Sequence, residues 1–110
     1  MRINWETDEA VALFDLYFRS GGKAFAPRDE VEKLSFLLRN RAKLLEYDID
    51  SKFRNVAGIK RQLACVHSVV TNGAEGLPHT SKLFQNTYKL YLKDPERFAA
   101  ILAEFNSRYS

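Results

Sequence analysis

Five side chains between positions 52 and 61 have the chemistry to meet a polyanion: Lys52, Arg54, Asn55, Lys60 and Arg61. Arginine can hold a base edge through two hydrogen bonds, and lysine can neutralise a phosphate. If Ile59 and Leu63 face the interior of a helix, an advance of about 100° per residue turns Ala57, Arg61, Ala64 and Ser68 roughly the other way. Gly58 and Cys65 flank that outer strip, and Lys60 lies at its edge. Small side chains let a helix approach the walls of a groove. The helix amino-terminus at Asn55 adds backbone donors for an anion. Further along, Lys82 stands beside Ser81 and close to His79, a second place where a phosphate contact is expected. The competing reading is plain: the helix closes a core, its small residues pack on a neighbour, and its charges are solvated.

Catalytic readings of other residues are weaker. Cys65 and His67 are two apart, so on a helix they point about 200° from one another and cannot form a nucleophile–base pair. His67 lies at the edge of a buried stripe, where a hydrogen-bonded structural role is expected. Glu46, Asp48 and Asp50 are carboxylates of the kind that hold magnesium in nucleases. Here no strand or catalytic lysine accompanies them, and a solvated loop is the expectation. Gly21-Gly22-Lys23 is too short to cradle a nucleotide and has no strand before it. No catalytic residue, metal or cofactor is expected, and the chain reads as a non-enzyme.

The elements that would position these residues follow from apolar spacing. Thr7 is expected to cap a first helix carrying Val11, Phe14 and Phe18, with Asp8 and Glu9 near the positive end of its dipole. Gly21-Gly22 stops it. Pro27, Asp29 and Glu30 open a second helix with the stripe Val31, Leu34, Leu38, Ala42 and Leu45. Residues 47–52 read as a loop. A third helix begins near Asn55, with Ile59, Leu63, Val66 and Val70 buried. Residues 71–78 read as a turn or loop. Thr80 is expected to cap a fourth helix that runs to about Lys93, with Leu83, Phe84, Thr87, Leu90 and Tyr91 inward. Asp94-Pro95-Glu96 is a cap, a first-turn proline and a first-turn acid, and opens a fifth helix with Phe98, Ile101, Leu102, Phe105 and Tyr109 inward. Trp5 and the aromatic residues of the fifth helix are expected in the core; an exposed side of that aromatic stripe would be a docking face. Nothing alternates at period two. The fold class expected is all-α, a compact bundle of about five helices with a helix-turn-helix-like unit at the amino-terminal side, as one domain over residues 1–110.

Composition bounds the setting. The 110 residues are 45% hydrophobic and 28% charged, in keeping with one globular domain. The single cysteine cannot form an internal disulfide, and no apolar run resembles a signal peptide or a membrane span, so a cytoplasmic protein is expected. The net charge of +3 is unevenly spread. Residues 1–50 hold eight basic and ten acidic side chains, whereas residues 51–110 hold nine and four. From Lys52 to Lys93 there are seven basic residues and one acid, Glu75. A basic second half suggests a surface that attracts phosphates; a solvated lysine-rich surface is its rival.

Several segments resemble a DNA-binding domain found at the amino-terminal side of HNH-type restriction endonucleases. They are Trp5-Glu6-Thr7-Asp8-Glu9, Leu13 to Arg19, Leu34-Ser35, Leu37-Leu38-Arg39, and the block Phe53-Arg54-Asn55 with Gly58-Ile59 and Gln62-Leu63. Gly76-Leu77, Ser81-Lys82-Leu83 and Tyr88 or Tyr91 continue the match, which covers about residues 5–92. More distantly the chain is similar to Myb-type helical DNA readers, with an early Trp, acids in the first helix and an arginine at the start of the third. It departs from the block where a lysine is usual (Arg61 or Gln62) and where an Asn-containing run would follow Leu63. The two His and one Cys do not supply the clustered ligands of the nuclease framework, which implies a domain cut from a larger enzyme or a free-standing relative. The resemblance implies a module that reads a DNA sequence or base modification in restriction or phage defence. Its partners would be double-stranded DNA, with a nuclease domain or a second copy alongside, and no membrane. The alternative is a protein-interaction module or small regulator that docks through its carboxy-terminal helices.

Overall fold

The carboxylate of Glu9 accepts a hydrogen bond from the backbone N–H of Glu6 at 3.0 Å, and this reciprocal cap opens the first helix. Glu6, rather than the expected Thr7, is therefore the capping residue. In the computed structural model, which describes residues 3–73 and 81–110, the helices are α1 (Thr7–Arg19), α2 (Arg28–Leu44), α3 (Val56–Val70), α4 (Lys82–Lys93) and α5 (Pro95–Tyr109). The all-α class and the five helices are as the apolar spacing predicts, and no strand occurs among the described residues. Asn55 caps α3 by accepting from the N–H of Gly58 at 2.8 Å. Ser81 caps α4 by accepting from Phe84 N–H at 3.0 Å. Thr80, His79 and residues 74–78, on which other expectations fell, lie outside the described residues. Asp94 caps α5, with Pro95 at its first position.

Helix α1 packs against all four others. Its residues Glu9 to Phe14 are buried without a break, as expected of a helix covered on every side. Around it gather Val31, Leu34 and Leu38 of α2, Ile59, Leu63 and Val66 of α3, Phe84 of α4, and Phe98, Phe105 and Tyr109 of α5. The aromatic stripe of α5 is thus core. Leu45, expected in the α2 stripe, follows the last helical turn and is 40% exposed. Phe14 meets Phe84 edge-on, with ring centroids 5.8 Å apart, and Phe18 stacks on Tyr91 at 4.2 Å.

Contacts fix the helix directions. Arg41 near the end of α2 bonds Asp8 at the start of α1, and Arg19 at the end of α1 bonds Glu30 at the start of α2. Those two helices are therefore antiparallel. The hydrogen bond from Arg19, and then the charge of Lys33, hold the Glu30 carboxyl below its ordinary pKa. By contrast α3 and α4 both run with α1. Arg54, just before α3, lies over Trp5, and Trp5 packs edge-on against Phe84 in the first turn of α4. At the other end His67 of α3 and Tyr91 of α4 meet Tyr17 and Phe18 of α1. Two neighbouring helices, α3 and α4, thus begin at the same end of the molecule.

Candidate nucleic-acid interface

The block Phe53-Arg54-Asn55 sits where α1, α2 and α3 meet. The Arg54 guanidinium donates to both carboxylate oxygens of Glu9, at 3.0 and 3.3 Å. It lies over the Trp5 ring at 4.3 Å and the Phe53 ring at 4.5 Å. The Arg54 side chain is 8% exposed and that of Glu9 1%. Its backbone is anchored as well, since Ser35 Oγ donates to the Arg54 carbonyl at 2.7 Å and Arg39 donates to the Phe53 carbonyl at 2.6 Å. These bonds hold Arg54 at φ +46°, a left-handed conformation that a non-glycine residue seldom adopts. Arg54 is therefore a structural arginine, and its expected place among the phosphate contacts is corrected. Reaching a phosphate would strand Glu9, a buried carboxylate, beside Arg41 alone.

Arg41 completes this cluster. Its Nε donates to Asp8 at 2.8 Å, and Glu6 and Glu9 lie within 3.4 and 3.7 Å of its other nitrogens. Burial opposes its charge, yet the hydrogen bond to Asp8 and the charges of Glu9, Asp8 and Glu6 outweigh that and raise its pKa above the ordinary arginine value. Asn55, another expected contact, uses its side-chain oxygen on the Gly58 N–H. That makes it the cap of α3, with its amide NH2 outside that bond.

The other expected contacts are open to solvent. Lys52, Lys60, Arg61 and Lys82 are all exposed. The outer strip of α3 is shorter than expected, because Ser68 and Cys65 are buried at 1% and 4% exposure. Helix α3 packs against α1, α2 and α4, so more of its surface is covered than its own apolar stripe accounts for. Burial pushes the Cys65 thiol up from its ordinary pKa, with nearby Arg61 opposing. His67 Nδ1 lies 2.7 Å from the Tyr17 hydroxyl, which donates to the Gly22 carbonyl at 2.9 Å. This is the structural role expected for that histidine. Asp50 accepts from the N–H groups of Lys52 and Phe53, both at 3.0 Å, so it shapes its loop. No group of three or more potential metal ligands occurs among the described residues.

Helix α4 adds a second basic face, whose signal in the sequence is its side-chain spacing. Lys82, Asn86, Lys89 and Lys93 are spaced 4, 3 and 4 apart and all exposed, so they form one line along its outer face. Gln85 beside them is exposed as well. Neither α3 nor α4 contains an Asp or Glu. Five basic side chains, Lys60 and Arg61 on α3 with Lys82, Lys89 and Lys93 on α4, thus stand on two adjacent, codirectional helices with no acid in either. Among the described residues no helix is long and apolar enough to cross a membrane. Comparison with protein-family models, with curated proteins and with solved structures finds no match to this chain.

Proposed function

We propose that this chain is a DNA-binding module that meets the duplex backbone with the outer faces of α3 and α4. The observation that supports it is the acid-free pair of helices bearing Lys60, Arg61, Lys82, Lys89 and Lys93 in solvent. Lys82 to Lys93 span about 16 Å of helix at about 1.5 Å per residue, long enough to follow several phosphates along a strand. Asn86 and Gln85, on the same face, have amides able to pair with base edges. Lys52 adds a further exposed ammonium at the approach to α3. The buried cluster of Arg54, Glu9 and Arg41 holds the start of α3 in place and makes no contact with the nucleic acid.

Titration of the chain into a labelled random duplex, followed by anisotropy at several salt concentrations, tests this reading. The expected result is binding that weakens steeply with salt, by about 0.9 in log–log slope for each phosphate contacted. Replacing Lys82, Lys89 and Lys93 together by Gln should flatten that slope by between two and three. Absence of binding at about 50 mM salt would end the proposal. A place in restriction or phage defence rests on the sequence resemblance alone. A selection from random duplexes, methylated ones included, tests whether a sequence or modification is read.

A further inference from the structure

We propose that a second copy of this chain docks on the outer face of α2, antiparallel to it, about a two-fold axis through Phe36. The residues turned furthest from the core on α2 are Asp29, Phe36 and Lys43, spaced seven apart, so they fall on nearly one line. All three are exposed, Phe36 at 60%, and Leu44 on the flank of that line is exposed at 65%. Beside Phe36 an open groove of about 560 Å3 runs between Asp29, Lys33 and Leu37. A phenyl ring on the outermost ridge of a well-formed helix is unfavourable in water and favourable against another apolar surface.

The charges say what that surface is. The first turns of α2 carry Asp29, Glu30 and Glu32 with Arg28 and Lys33, which pair with Glu32 and Glu30, and the exposed base of the last turn is Lys43, Arg41 being buried. Neither Asp29 nor Lys43 has an ion-pair partner among the described residues. Two-fold pairing about Phe36 places a residue seven before the centre opposite one seven after it. Asp29 of one copy then meets Lys43 of the other, and the reverse pair forms at the far end. On one flank Leu44 of the second copy lies over the groove beside Phe36. A parallel pairing would instead set like charges against one another, at a cost. The outer face of α2 is therefore complementary to itself in one orientation only. One helix per copy is a small interface, so the dimer belongs in the micromolar range or weaker.

Sedimentation equilibrium of the full chain over about 1 µM to 1 mM tests the proposal, with circular dichroism confirming the fold of each variant. Wild type should pass from monomer to dimer across that range. Phe36→Asp, at an exposed position, should be monomeric throughout. Asp29→Lys or Lys43→Asp alone should weaken the dimer about tenfold, because each acts twice by symmetry. The combined D29K/K43D chain should regain the wild-type constant, since the pairs are only exchanged. A wild type that stays monomeric, a dimer indifferent to Phe36→Asp, or a combined variant no tighter than the single ones would each overturn it.

Discussion

Arg54 shows how one residue type can support opposite readings. An arginine at the start of a basic helix has the right chemistry for DNA, yet its side chain turns inward to a carboxylate 45 positions earlier in the chain. Arg54→Ala should cost about 3–5 kcal/mol, because Glu9 would lose a bidentate partner in a buried site. Urea unfolding measures it. Arg54→Lys should recover only part of that loss, since an ammonium neither forks onto the carboxylate nor stacks flat between Trp5 and Phe53. Its DNA affinity should keep the wild-type salt slope; a slope lower by about one would return Arg54 to the interface. Cys65 gives a second test. Its thiol is buried with a raised pKa, so it should resist a thiol reagent at neutral pH and react fully in denaturant. Because the unfolded thiol ionises first as pH rises, this group removes stability only on the alkaline side, above its unfolded pKa. Arginine and cysteine were both legible as residue types. Their surroundings were not, because no local spacing links position 9 to position 54, or shows that Cys65 will be buried.

Helices were the readable scale. Apolar residues three and four apart are the direct imprint of a helix that buries one face, and all five emerged with ends within a few residues. The differences are at ends and flanks. Thr7 has the usual capping side chain, but Glu6 with Glu9 three residues on closes a reciprocal cap instead. Leu45 keeps the apolar spacing of α2 beyond the point where the helix stops. Ser68 points outward by its spacing yet is buried, because spacing relates a residue to its own helix and not to the rest of the chain packed around it. Capping itself is testable: Asn55→Ala should cost about 1 kcal/mol by freeing the Gly58 N–H at the head of α3, seen in thermal unfolding. Asn55→Asp should keep the cap. If Asn55→Ala weakened DNA binding without loss of stability, Asn55 would belong to the interface after all. The acid-free line on α4 was also within reach of the sequence. The 4-3-4 spacing of Lys82, Asn86, Lys89 and Lys93 is a local pattern of the same kind as the stripe of α3.

At the scale of the whole molecule, charge is sorted by element: α1, α2 and α5 mix acids with bases, and the bases of α3 and α4 stand without acids. Topology was the least legible property, because no residue announces that α3 and α4 will lie side by side pointing the same way. That shared direction constrains the link between them. Helices that run alike cannot be joined by a tight reversal, so the polypeptide leaving Val70 has to regain the level at which α3 began. Fifteen residues of helix rise about 22 Å, and an extended chain covers about 3.3 Å per residue, so about seven residues are the least that can make the journey. Eleven lie between Val70 and Lys82. Replacing residues 74–80 with a glycine–serine tract of equal length should leave the helical dichroism and a cooperative melt intact. Trimming the link to four should abolish the fold, however favourable every remaining contact, because the tether would be shorter than the road.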